Sequence, residues 1–248
     1  MEEQPLKPAP SFTSTMANVF TTPGEAFGSL VGTESSVMQW LAPMIVSFVL
    51  VIASVYLISH NETLRQQLID TQRAAMEKLV AEGRLTQEQF DAQMDRLEGG
   101  SSSMFIIFGT IFGTIFTALF YFAGALFLWL ANKFILKSAQ PYGTHLELYG
   151  VASWISILGG MITLLMMVGM GSIYASPGGS LAVLSSFDAT SKLHRLLSSL
   201  NIFTVWQVVV IGVGLGKFSG KSSGLSIGIA FALWAVWVVL SLFLRIGG

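Results

Sequence analysis

The chain contains no cysteine, which excludes disulfides, thiolate metal sites and thiol nucleophiles together and leaves the redox compartment unreadable. Charge is nearly as scarce: only 11% of the 248 residues are Asp, Glu, Lys or Arg, and the net charge is −1. Soluble domains carry about a quarter charged residues, so this composition belongs to an integral membrane protein, and no basic field points to nucleic acid. Acidic groups almost vanish in the second half. After Glu98 only Glu147 and Asp188 remain, at a span edge and in a loop, and no Lys or Arg falls centrally in an apolar run. Proton relays depend on intramembrane ionisable residues, so their scarcity argues against a proton-coupled pump. The opening MEEQPLKPAP also lacks a basic stretch leading directly into an apolar run and does not read as a cleavable signal peptide. The first apolar segment is then expected to serve as an uncleaved signal anchor.

Apolar residues are abundant: 52% of the chain is hydrophobic and the mean hydropathy is +0.66. A hydrocarbon core about 30 Å thick needs about 20 apolar residues of helix. That rule selects five spans: Met38 to Ser59, Met104 to Ala131, Leu148 to Gly171, Asn201 to Lys217 and Leu225 to Leu244. The expected fold is an all-α, polytopic membrane helix bundle with its termini on opposite sides.

The segments between the spans carry their own signals. Residues 1–16 are expected to form a disordered tail and 17–37 an interfacial helical segment. In the latter, Thr22-Pro23-Gly24-Glu25 reads as a capping box with proline at N1, and Phe27, Leu30 and Val31 share a face that Gly32 ends. Residues 60–103 are the one sizeable polar segment, with eight acidic and five basic residues interleaved. Leu64, Leu68, Ala75, Met76 and Leu79 form a stripe ended by Gly83. Thr86 and Gln89 then form a second capping box, with Leu85 and Phe90 as its staple and Met94 and Leu97 on the same face. A helical hairpin follows, closed by Gly99-Gly100 and a serine run, its charges reading as a solvated face and partner docking as the alternative. Between spans three and four, residues 172–200 hold a Ser176-Pro177-Gly178-Gly179 turn. Beyond it lies a helical stripe of Leu193, Leu196, Leu197 and Leu200 beside Lys192, His194 and Arg195, suited to lie on the bilayer.

No catalytic template closes. In GLGKFSGKSSG (214–224), Gly220-Lys221-Ser222 supplies the end of a Walker loop, but Leu215 stands where its first glycine belongs. Ser219 likewise stands where a dinucleotide fingerprint needs its third glycine, and the preceding segment is a membrane helix rather than a strand. Gly178-Gly179-Ser180-Leu181-Ala182 misses the nucleophile elbow at its last residue. His60, His145 and His194 sit near span boundaries without ligand spacing. Neither a catalytic residue, a metal site nor a cofactor is expected. The polar groups inside the spans include Gln207, Ser153, Ser156 and Thr163, which join helices or, alternatively, line a groove for a transported molecule or lipid. Three small-residue pairs, Gly109/Gly113, Gly212/Gly216 and Gly224/Gly228, are expected to bring helices close, with dimerisation through the second span a secondary expectation.

Taken together, NVFTTPGEAFGSL with Pro23, a first span headed by Trp40 and Pro43, a third span entered through Tyr149-Gly150, and SSLNIFTVWQVVVIGVGLGKFSGKSSGLSIGIAFALW with Trp206 and Gly214 resemble the Yip domain. The resemblance is to the bacterial branch of the Ypt/Rab-interacting-protein family, over most of residues 17–245. It implies five spans, a cytoplasmic N-terminus and, in eukaryotic members, trafficking with Rab-type GTPases. A long N-terminal region like theirs is not expected here and a bacterial owner has no Rab, so GTPase binding is not carried over. An inner-membrane location follows. With the N-terminus inside, five basic residues (Lys7, Lys133, Lys137, Lys217, Lys221) lie inside and eight outside, or three outside once the folded hairpin is set aside. The resulting expectation is a non-enzymatic scaffold, assembly factor or organiser of membrane shape. Its partners would be lipids, copies of itself or other membrane proteins, and the alternative is a small transporter or lipid-transfer protein.

Overall fold

The computed structural model describes residues 7–99 and 102–244. It is helical: α1 (Phe12–Thr21), α2 (Pro23–Gly28), α3 (Met38–His60), α4 (Glu62–Ala81), α5 (Gln87–Gly99), α6 (Ser102–Phe134), α7 (Tyr142–Met170), α8 (Lys192–Ser199), α9 (Ile202–Ser219) and α10 (Ser223–Leu244), with a 3-10 segment at Gly179–Ser186. Five of these, α3, α6, α7, α9 and α10, are long and apolar enough to cross a bilayer, as the hydropathy runs predict. Leu165 and Phe243 are 73% and 69% exposed, a surface that suits lipid and not water. The helix α7 begins six residues before the expected span, immediately after Pro141, and so draws His145 and Glu147 into a buried turn.

Contacts group the chain into two units. The first comprises residues 7–48, 116–160 and 202–244; the second comprises 49–99, 102–115 and 161–201.

In the first unit, α1 and α2 pack on the membrane helices. Phe12 lies against Trp154, Phe20 edge-on to Trp206 and Phe27 edge-on to Phe218, at centroid separations of 6.1, 6.0 and 6.3 Å. Two expectations are corrected here. Residues 12–16 are helical where a disordered tail was expected, because Thr15 and Val19 are buried; residues 1–6 lie outside the described residues. Phe27 and Leu30, expected to face the interface, are buried in the protein core, and only Val31 of that trio is exposed. Pro23 does stand at N1 of α2, but the Thr22 side chain makes no capping bond, since Thr22 also ends α1 with its N–H on the Asn18 carbonyl.

Helix-on-helix contact in a membrane gains little from hydrophobicity, because lipid tails are as apolar as leucine, so close approach and dispersion decide it. A Cβ added at Gly212 would lie 2.4 Å from the Ile227 Cα, which seats α9 against α10 as the small-residue pattern predicts. The pair in α10 does not behave this way: Gly224 and Gly228 have nothing within 4 Å of an added Cβ. The stretch 214–224 is a turn: α9 runs through Ser219, Gly220 adopts a φ of 67°, and the Ser222 hydroxyl accepts from Leu225 N as α10 begins.

In the second unit, Gly109 and Gly113 of α6 face α3, their added Cβ atoms meeting Val55 and Val51 at 3.0 and 2.7 Å. The glycine face considered for dimerisation is therefore occupied within the chain. The polar segment is the expected hairpin. Asn61 caps α4 by accepting from Leu64 N at 3.1 Å, and Gly83 ends that helix with a φ of 69°. Thr86 and Gln89 close the predicted box, Gln89 N donating to the Thr86 hydroxyl (3.2 Å) and Thr86 N to Gln89 Oε1 (3.0 Å). In the stripes Leu64 and Met94 are buried, Ala75 is exposed, and Ile69 is buried without having been predicted. The closing Gly100 lies outside the described residues. Thr86→Ala is expected to lower the melting midpoint of the hairpin, followed by circular dichroism of the whole protein, by the equivalent of about 1 kcal/mol.

Candidate functional site

The positions that carried the family resemblance meet in the first unit, and they pack helices together. Pro43, buried inside α3, has no N–H, so the Gln39 carbonyl one turn earlier loses its helical donor. At that point α7 presents Gly150, whose added Cβ would lie 2.6 Å from the Gln39 carbonyl oxygen and 2.4 Å from the Trp40 Cα. The proline and the glycine are thus complementary, one baring a carbonyl and the other letting a backbone reach it. Next to them the Tyr121 hydroxyl donates to the Trp40 carbonyl at 2.8 Å, and the Tyr121 and Tyr149 rings meet edge-on at 5.0 Å. Gly214 admits Leu148 and Phe27, and Trp206 takes the edge of Phe20.

Beside this junction is a cleft of about 300 Å³. Its aromatic walls are Phe116, Phe120 and Tyr121 of α6 and Tyr149 of α7. Its polar groups are Ser47 of α3, Thr117 of α6, Ser153 and Ser156 of α7, and Gln207 of α9. Ser156 donates to Gln207 Oε1 at 2.5 Å, joining α7 to α9. Of the four groove residues predicted from sequence, Gln207, Ser153 and Ser156 come together here. Thr163 is not among the residues that line the cleft.

Several buried polar ties went unforeseen. Glu147, 2% exposed, accepts from Ser36 N at 2.8 Å and from the Ser35 hydroxyl, at the chain entry to α3. A carboxylate there also faces the positive end of the helix dipole. Gln39, 1% exposed, reaches the Thr15 hydroxyl at 3.4 Å and so holds α1. His145, expected at the interface, is fully buried: its Nδ1 lies 2.9 Å from the Pro141 carbonyl and so donates, leaving Nε2 to accept from Asn132 Nδ2 at 2.7 Å. Only the late glutamate in so apolar a stretch carried a sequence signal. Its depth depended on where α7 starts.

The model of the Yip1 domain matches residues 17–244, nearly the whole chain. The protein belongs to the Yip1 domain family. No curated protein and no solved structure matches it. With five apolar helices and this domain, it is an integral membrane protein. The family-like Pro23, Pro43, Tyr149, Gly150, Trp206 and Gly214 all sit in its first unit, where each packs or positions a helix.

The second unit of this Yip1 domain protein presents a different surface. The Gln67 side chain takes both Gly171 O (2.8 Å) and Ile173 N (3.0 Å), so the hairpin is bound to the loop that follows α7. Tyr174 hydrogen-bonds Thr71 and stacks on Phe187 at 4.1 Å. Asp188 orders the next turn: its carboxyl, held below the usual range by the Thr190 hydroxyl and N–H, accepts both at 2.7 Å. Asp188 N in turn donates to His194 Nδ1 at 2.9 Å. The helix α8 follows, capped by Ser191, with Leu193 61% exposed and Leu196 and Leu200 also exposed. Among the described residues no cluster of His, Cys, Asp or Glu is arranged to hold a metal.

Proposed function

We propose that this protein is a non-enzymatic, membrane-embedded organiser of bilayer shape or of membrane-protein assembly. The observation that carries the reading is α8: eight residues with Leu193, Leu196 and the following Leu200 exposed on one side and Lys192 and Arg195 in the same helix. Such a helix lies in the headgroup layer and widens one leaflet. The segment around α2 does not support the same role, since Phe27 and Leu30 are buried. Lipids are the first partner on this reading, with copies of the chain or other membrane proteins next, and no GTPase is implied.

The test is reconstitution. Wild-type protein in liposomes should change vesicle diameter or lipid order, and Leu193→Ser with Leu196→Ser should abolish the change without altering the melting temperature. Protein that changes neither property and yields no crosslinked partner excludes the reading.

A bacterial inner-membrane location with a cytoplasmic N-terminus fits the same reading. Ser138 donates to the Phe218 carbonyl at 3.0 Å, gathering the ends of α6 and α9, and with them Lys133, Lys137, Lys217 and Lys221, on one side. The cleft favours a second reading, a ligand-holding or lipid-transfer role, because it joins aromatic walls to a few polar groups in the manner of small-molecule sites.

A further inference from the structure

We propose that the cleft of the first unit holds the head of an uncharged, membrane-dissolved carbonyl compound with a flat conjugated ring, the chemistry of a prenylated quinone. The proposal rests on the ligand-holding reading and adds the class of molecule. Hydrogen bonds set the first constraint. The hydroxyls of Ser47, Ser153, Ser156 and Tyr121 donate to Pro43 O, Tyr149 O, Gln207 Oε1 and Trp40 O respectively, at 2.8, 2.7, 2.5 and 2.8 Å. Each is thereby engaged within the protein. Because Gln207 Oε1 is taken by Ser156, what the amide can offer a molecule in the cleft is its N–H donors. A primary amide facing hydrocarbon is strongly unfavourable without an acceptor, and an incoming carbonyl oxygen supplies one.

Charge sets the second constraint. No Asp, Glu, Lys, Arg or His lines the cleft, so a charged ligand would find no counter-ion and a neutral one is selected. Depth and shape set the third. Ser156 stands at the middle of α7, whereas the ester carbonyls of glycerolipids lie at the membrane surface, so the matching carbonyl belongs to a molecule dissolved in the hydrocarbon. A volume of about 300 Å³ takes one substituted ring and not a pair of acyl chains. Phe116, Phe120, Tyr121 and Tyr149 give that ring faces and edges to stack on. The chain of the ligand then leaves through the open side into lipid. Binding alone is inferred; no electron transfer is assigned.

The experiment uses the full chain in phosphatidylcholine nanodiscs, with a decyl-substituted benzoquinone as probe and tryptophan quenching as readout. Saturable quenching is expected, weakened about tenfold by Gln207→Met, which keeps the length of the side chain and removes its donors. Infrared spectra of the probe labelled with ¹³C at its carbonyls should show the band moving to lower wavenumber on binding to wild-type protein, a readout that stands even where the variant fails to fold. Saturable binding with an unshifted band, or with full affinity in the variant, overturns the proposal. Diacylglycerol displacing the probe at equal concentration overturns the ligand class and leaves the ligand-holding reading intact. Absence of saturable binding by either compound removes both.

Discussion

Gly150→Ala is expected to destabilise the protein by at least about 1–3 kcal/mol, the range for overpacking a well-filled contact, read as a lowered melting midpoint in nanodiscs. The new methyl carbon would lie 2.4 Å from the Trp40 Cα and 2.6 Å from the Gln39 carbonyl oxygen, both backbone atoms, so no side chain can turn aside to admit it. Either α3 and α7 separate or the α3 backbone shifts near Pro43, and in both cases the Tyr121 bond to the Trp40 carbonyl is disturbed. Gly228→Ala is the matched control. It sits in α10 with nothing within 4 Å of an added Cβ, and alanine exceeds glycine in helix propensity by about 1 kcal/mol, so its midpoint should hold or rise. Equal midpoints for the two variants would show that the α3–α7 contact is looser than a 2.4 Å approach requires.

The second large effect is expected at Glu147. Its Oε1 accepts from both the Ser35 hydroxyl and Ser36 N, and the residue is 2% exposed. Glu147→Ala leaves these donors without an acceptor at the start of α3, a loss of about 1–3 kcal/mol. Glu147→Gln keeps an oxygen in the same place, gives up the charge facing the helix dipole, and should lose well under half as much. Thermal melting orders the three proteins, and limited proteolysis around residues 35–37 reports whether the entry to α3 has loosened. If glutamine proved as damaging as alanine, the negative charge and not the hydrogen-bond acceptor would be the important property.

How much of this was legible in advance depended on whether a signal was local. Hydropathy runs mark the five spans because a helix in lipid must satisfy its backbone internally and cover a fixed thickness, whatever its neighbours do. The Thr86–Gln89 box and the Gly83 stop were readable for a similar reason, each closing within a few residues. The α1 helix was not, because FTSTMANVFT has weak helical propensity and is held by Phe12, Val19 and Phe20 against helices far away in sequence. Thr22 looked like a cap and is instead the joint between two helices.

The candidate site divides along the same line. The sequence by itself determined the inventory: an apolar chain without thiols or a closed catalytic template, with a glutamine and a few hydroxyls inside its spans. Once α7 is formed, its helical period puts Tyr149, Ser153 and Ser156 on one stripe. Only the tertiary structure decided which of them share a cleft, because that depends on how far α3, α6 and α9 reach along that stripe, and it left Thr163 out of the lining. It also decided which glycines matter. Gly212 and Gly150 are pressed against another backbone, while Gly224 and Gly228 face open space, although every one of them reads as a small residue in an apolar run. Spacing in sequence fixes the face of a helix, but what that face meets is set by the partner helix, and no local pattern encodes it.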